Sequence, residues 1–395
     1  MPTLIYADGF HHKTADGSRF GGAADTGLWS AVNTGGGITF GNETYDSGPD
    51  IQIVEGGAAL ANVQRGLAAG IRTLVGSFYF KITSGPSVDG SRLFFTTGPA
   101  NNFKFEVKLS NGTIHVEIVS DGPDGPVVTD NAIHRVDFRL DTSGTTYTCD
   151  WAVDGTAQTQ VTAAGQTAAD LTAWGIGSSN AAHAMTFRTW HLVLSSTSGD
   201  HPIGAHRVLS LVPNADGANR NPGTNVMERA SDGADINGVT AWNLLDEWPA
   251  TGGVNNADTV TQVAIGTGNF AEVDFENTGE ATIWAVTSVA ALQSDGTNTN
   301  NGTTRIVDSS NNTLVDVYAG SMAVATPNYR VILVPDPGGD GWTQAELNGV
   351  KARVGFSSDV DSQPEWLALL LQYAVPVTAA TDAPTLRTVA TPLRW

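Results

Sequence analysis

The residues best placed to do chemistry are the three acids of Glu272-Val-Asp-Phe-Glu276. Side chains alternate between the two faces of an extended strand, so Glu272, Asp274 and Glu276 share one face and Val273 and Phe275 the other. Three carboxylates in a row suit sugar chemistry. One attacks the anomeric carbon, one protonates the leaving oxygen, and the acid between them tunes both. The same alternation also describes an ordinary surface strand, with the apolar pair inward and the acids in water. Two acidic turns come next, Asp121-Gly-Pro-Asp124 and Asp336-Pro-Gly-Gly-Asp340. Oxygen-rich turns of this kind hold Ca²⁺. Neither has the twelve-residue EF-hand pattern, and acidic Gly/Pro turns also arise for backbone reasons alone. His11-His12 is a loop pair with weak zinc character, and the eight histidines hold no metal-binding spacing in a helical context. The single Cys149 lies in the strand-like run Tyr147 to Trp151, and reads as a small buried apolar residue. One cysteine excludes internal disulfides and a cysteine-based zinc site. No nucleophile elbow and no phosphate loop occur.

Strands must position these groups. Phe103, Phe105, Val107 and Leu109 alternate with Lys104, Glu106 and Lys108. Asn111-Gly112 follows as a hairpin turn, and Thr113 to Val119 alternates again. Further strands are expected at Gly76–Ile82, Arg92–Thr96, His134–Leu140 and Met185–Leu194. Tyr147–Val153 and Thr156–Val161 flank a tight Asp154-Gly155 turn. The first seventy residues look Gly-rich and loop-like. A second strand series runs from Ala271 to Val334. Thr343-Gln-Ala-Glu346 is a capping box, which predicts one late helix carrying Leu347, Val350 and Val354 and ending at Gly355. Trp366–Val375 is too continuous in apolar residues for an exposed strand, which predicts a central strand buried on both faces.

Composition narrows the function. The chain has 395 residues, 45 glycines and a formal charge of −20. Phosphate neutralisation needs clustered Lys and Arg, so a nucleic-acid partner is not expected. Docking on anionic membranes is disfavoured for the same reason. No run of eighteen apolar residues exists, so no transmembrane helix is expected, and the start has no secretory pattern.

Two stretches carry a family resemblance. Tyr147–Val161, Trp174-Gly-Ile-Gly177 and Phe187–Leu194 resemble the late strands of laminin-G/concanavalin A-like jelly rolls. Asp200-His-Pro-Ile-Gly-Ala-His-Arg-Val-Leu-Ser-Leu-Val-Pro-Asn-Ala-Asp-Gly217 is similar to the connector of tailed-bacteriophage virion proteins that carry such domains. So are Trp242 with its following Leu-Leu-Asp-Glu-Trp248 patch, Trp342–Asn348 and the opening Tyr6–Phe10. The resemblance implies a non-enzymatic structural component of a virion (tail tip, tail fibre or head decoration), made in the bacterial host cytoplasm. It acts through self-association, with a trimer favoured, and through contacts with other virion proteins and host-surface glycan.

The resulting expectation is an all-β protein of two β-sandwich, jelly-roll, concanavalin A-like domains, with one short late helix. The first spans 1–205 and the second 256–375. Residues 206–255 form a connector packed on the second domain. Residues 376–395 form an extended arm whose Leu393, Arg394 and Trp395 dock on a neighbour. No cofactor is expected beyond Ca²⁺ at Asp121, Asp124, Asp336 and Asp340. The alternative is a β-glucanase-like glycoside hydrolase, because Glu272, Asp274 and Glu276 resemble the signature of retaining enzymes with this fold.

Overall fold

A computed structural model describes residues 3–10, 31–34, 37–45, 48–55, 61–87, 89–98, 103–178, 184–217, 227–229, 245, 260–262, 270–294, 300–322, 328–356 and 364–377. The fold is all-β, as expected: four antiparallel sheets in two sandwiches. In the first sandwich a seven-stranded sheet runs, in spatial order, Ser120–Val127, Thr113–Ile118, Lys104–Val107, Ser91–Thr97, Ala173–Ser178, Ala61–Gly66 and Ala31–Thr34. It faces a nine-stranded sheet whose centre is His134–Asp141, Thr73–Ser84, Thr186–Ser195 and Gly48–Val54.

An aromatic layer fills the space between these sheets. Phe94, Phe103, Phe105 and Phe138 form a group with ring centroids 5.1–6.5 Å apart, and Trp151 and Trp174 extend it. All are buried. The expected hairpin is present: Phe105 lies opposite Val116, and Glu106 opposite His115. Asp154 and Gly155 both have positive φ, at 51° and 79°, as the primed turn between Thr146–Val153 and Thr156–Ala157 requires.

The first seventy residues hold more regular structure than their glycine content suggests. Leu4–Asp8, Ala31–Thr34, Ile38–Tyr45, Gly48–Val54 and Ala61–Gly66 are strands: Ile38–Tyr45 and Gly48–Val54 form a hairpin, and the set is tied to the rest of the sandwich through pairing with Thr186–Ser195 and Ala173–Ser178. The expected connector also begins as sheet. His206–Leu211 pairs with Pro364–Pro376, and Pro213–Asp216 pairs with Phe270–Phe275, so both belong to the second sandwich. The helix is shorter than predicted. Gln344–Asn348 has the expected capping box on Thr343 and Glu346, but Gly349 caps its end. Val354 lies instead on the strand Lys351–Phe356, where pairing on both sides outweighs helical spacing.

The two sandwiches share a packed seam. In Pro364–Pro376, Leu369, Leu371, Tyr373 and Val375 enter the second core, while Leu370 joins the first. That explains the largely apolar run predicted to be a central strand. The strand Leu4–Asp8 lies in the seam. Gly9 N–H donates to Gln372 Oε1 at 2.7 Å, and Thr287 Oγ1 donates to the Ala7 carbonyl at 3.3 Å. The expected arm with Leu393, Arg394 and Trp395 lies outside the described residues, as do His11, His12, Trp242 and Trp248.

Candidate functional site

The outer face of the seven-stranded sheet is set by the alternation that builds the core. With Phe103, Phe105 and Val107 pointing inward, Lys104 and Glu106 must point outward. The hairpin then aligns Lys104 with Glu117, and Glu106 with His115. On the other side, Arg92 lies opposite Glu106 and Phe95 opposite Lys104. A bulge between Arg92 and Phe94 makes this possible. Leu93 and Phe94 both enter the core, which returns Phe95 to the outer face. Phe95 lies across Gly175, where a Cβ would stand 2.6 Å from its Cε1, so only glycine fits there.

The charges on this face are unusually buried. Side-chain exposure is 14% for Arg92, 11% for Lys104, 5% for Glu106 and 2% for His115. Arg92 Nε donates to Glu106 Oε1 at 3.0 Å, and Lys104 Nζ lies 3.5 Å from the same oxygen. Lys104 also donates to Glu117 at 2.8 Å. Burial pushes the Glu106 carboxyl up despite these cations. Burial likewise pushes His115 down, towards the neutral imidazole, and neither ring nitrogen has a hydrogen-bond partner.

Glu55 completes the cluster from the end of Gly48–Val54, where its N–H donates to the Met185 carbonyl at 2.8 Å. It is 3% exposed, and neither carboxyl oxygen completes a hydrogen bond. Burial raises it to about 8, Arg92 opposes the rise, and the negative charge of Glu106 adds to it. A buried carboxylate without donors is costly, so the group keeps its proton at neutral pH. The result is a neutral acid beside a second carboxyl that two cations hold, the separation of roles that acid–base chemistry needs.

The residues chosen from the sequence lie elsewhere. Glu272 and Asp274 do share a face of Phe270–Phe275, but Glu272 is buried against cations. Arg353 Nε donates to its Oε2 at 2.7 Å, and Lys351 Nζ reaches Oε1 at 3.4 Å and Asp274 Oδ1 at 4.0 Å. Gly217 packs on its side chain without room for a Cβ. Glu276 is exposed beyond the strand end, where its N–H donates to Val212. The motif is therefore an ion-paired strand, and Glu276 is not part of the Glu272 cluster.

Asp121 and Asp124 are not in a turn. They lie on the edge strand Ser120–Val127, opposite Glu117 and His115. Asp124 pairs with Lys108 at 2.5 Å, and Asp121 lies 3.7 Å from His115 Nε2. Asp336 and Asp340 do form a turn, close to Glu346. There the amides of Gly338 and Gly341 occupy Asp336, and Glu346 closes the helix cap. The sequence already showed Lys104 and Glu106 on a polar face. Carrying that alternation through Asn111-Gly112 would have placed His115 beside Glu106. Nothing local marks Glu55, which enters from the other sheet.

No family model matches the sequence, and no curated protein matches it. Several solved structures are similar. One is a GH131 β-glucanase catalytic domain from Podospora anserina, with 11% identity and a TM-score of 0.35, covering 50% of this chain and 97% of that one. Another is domain 4 of AbnA, a GH43 extracellular arabinanase from Geobacillus stearothermophilus solved with arabinotriose, with 14% identity and a TM-score of 0.34 over 49% and 92%. A structure of botulinum neurotoxin type C, described by its interaction with two ganglioside molecules, has 8% identity and a TM-score of 0.33 over 87% and 88%. None of these three is a virion protein. The expectation of a non-enzymatic chain is corrected here. The outer face carries two buried carboxyls, Glu55 and Glu106, and Glu55 feels the charge of Glu106.

Two outcomes follow from this geometry. Glu272→Ala strips a buried anion from Arg353 and Lys351 and lowers unfolding free energy by roughly 3 kcal/mol in a urea titration. Glu55 binds its proton more tightly folded than unfolded. Its contribution to stability is thus complete below the unfolded value near 4.5 and is lost as pH rises to about 8. Glu55→Gln removes that loss, so the stability difference between mutant and parent grows in the mutant's favour from pH 5 to pH 8.5.

Proposed function

We propose that the first sandwich binds glycan across the outer face of its seven-stranded sheet and cleaves a glycosidic bond there. The observation that carries this reading is Glu55: a carboxyl 3% exposed, held protonated by burial, with no side-chain donor among the described residues and close enough to Glu106 to feel its charge. A proton donor of this kind is matched to a leaving group that must depart as a neutral alcohol. Glu55 gives its proton to the glycosidic oxygen as the bond to the anomeric carbon breaks. Water adds to that carbon and releases its own proton to Glu106. Arg92 and Lys104 hold Glu106 through Oε1, which leaves Oε2 for that water. Phe95 and Asn62 are themselves buried, and the partly exposed Gln64 on Ala61–Gly66 offers an amide to a bound sugar. Glycan cleavage matches this apparatus better than pure adhesion does, because recognition of sugar hydroxyls does not need a protonated, unpartnered carboxyl.

The test is reducing-end release from a panel of β-1,3-glucan, β-1,4-glucan, arabinan and sialylated oligosaccharides. The parent chain is expected to cleave at least one of them. Glu55→Gln is expected to cut that rate by 100-fold or more while still binding the same glycan, and Glu276→Gln to leave it unchanged. Binding without release from any glycan would reduce the proposal to recognition alone. Release unaffected by Glu55→Gln would remove Glu55 from the reaction.

A further inference from the structure

We propose that Glu106, His115 and Asp121 form the binding site of a single divalent transition-metal ion, with zinc the best fit. The three residues come from three neighbouring strands, Lys104–Val107, Thr113–Ile118 and Ser120–Val127. His115 Nε2 lies 3.7 Å from Glu106 Oε2 and 3.7 Å from Asp121 Oδ1, and all three ligand atoms fall within 4.8 Å of one another. These gaps are too long for hydrogen bonds. They are close to the roughly 3.4 Å that separates ligand atoms around a tetrahedral ion with bonds of about 2.0–2.1 Å.

His115 supplies the independent observation. At 2% exposure its ring is buried without a hydrogen-bond partner on either nitrogen among the described residues, with Nε2 3.7 Å from each of two carboxylates. Buried polar groups are nearly always satisfied, so this one calls for a ligand. The surrounding charges point the same way. Arg92 and Lys104 engage Glu106 through Oε1, Lys104 also holds Glu117, and Lys108 holds Asp124. Glu106 Oε2 and Asp121 are left facing the imidazole. One imidazole and two carboxylates suit zinc and its neighbours better than Ca²⁺, which prefers an all-oxygen shell. Asp121 is 62% exposed, which opens a path for the ion and leaves a coordination position towards solvent. Arg92 and Lys104 fix the outer oxygen of Glu106, as groups around a metal site typically do. The turn at Asp336, Asp340 and Glu346 has no comparable orphan among the described residues, and Asp336 and Glu346 are occupied by backbone amides.

This site stands whether or not the chain cleaves glycan. If it does, the ion would hold the attacking water at Glu106 in place of the bare carboxylate. The test is calorimetric titration of ZnCl₂ into the full, chelator-treated chain without glycan. One equivalent is expected to bind. His115→Gln should weaken binding by 100-fold or more, Asp121→Asn by tenfold or more, and His11→Gln/His12→Gln should leave one equivalent bound. Asp121 is exposed, so its variant reads the site even if His115→Gln does not fold. No saturable zinc binding overturns the proposal. So does binding that Asp121→Asn leaves unchanged, or binding that only the His11/His12 variant abolishes. Zinc bound without cleavage of any glycan keeps this site and removes the hydrolase reading. Cleavage by a chain that binds no zinc does the reverse.

Discussion

The packing of one aromatic layer between two sheets fixes everything on the outer face. Phe94, Phe103, Phe105, Phe138, Trp151 and Trp174 interdigitate at ring separations that admit one register. A slip of one residue in Lys104–Val107 would carry Phe105 to the outside, at a cost of about 2–3 kcal/mol for that ring alone, and bring Glu106 into the core. The site therefore inherits its precision from residues that never touch it. The bulge at Leu93 is the local adjustment that reconciles two inward residues with an outward Arg92 and Phe95.

The layer also explains how so many charges survive burial. Arg92, Lys104, Glu106 and Glu117 form a chain of opposite charges in which each cation has an anion within 3.0 Å. Burial of such a network is tolerable when its members are paired. Glu55 and His115 stand outside the pairing. Each answers burial by remaining neutral, Glu55 by keeping its proton and His115 by losing one. A face that balances four charges and leaves two neutral, unsatisfied groups beside them has its polar capacity concentrated at one place.

Much of the architecture was legible in the sequence because it follows from period two. The alternation of Phe103 to Val119, the Asn111-Gly112 and Asp154-Gly155 turns and the capping box at Thr343 all specify local geometry. The largely apolar run Trp366–Val375 marked a strand buried on both faces. Long-range pairing was not legible. Leu4–Asp8, Gly48–Val54, Ala61–Gly66 and His206–Leu211 are stabilised by partners more than a hundred residues away. Their own short sequences do not specify those partners. Glu55 belongs to the same class, since its environment comes from strands of the opposite sheet.

The contrast between Glu272 and Glu106 shows what sequence spacing can and cannot decide. Both are outward-facing glutamates on strands with apolar neighbours, and both have an Arg and a Lys within ion-pair reach. At Glu272 the two cations divide the carboxylate, Arg353 taking Oε2 and Lys351 reaching Oε1, so both oxygens are engaged. At Glu106 both cations crowd Oε1, and Oε2 faces an imidazole that has no partner of its own. The difference lies in which strand supplies the cations. Arg353 and Lys351 both come from the strand beside Glu272, whereas Arg92 comes from one neighbour of Glu106 and Lys104 from its own strand. The opposite neighbour is thereby free to present His115, and the edge strand beyond it presents Asp121. Spacing along one strand produced the triad that drew attention first, but the order of strands across the sheet determines which carboxylate keeps an oxygen for chemistry.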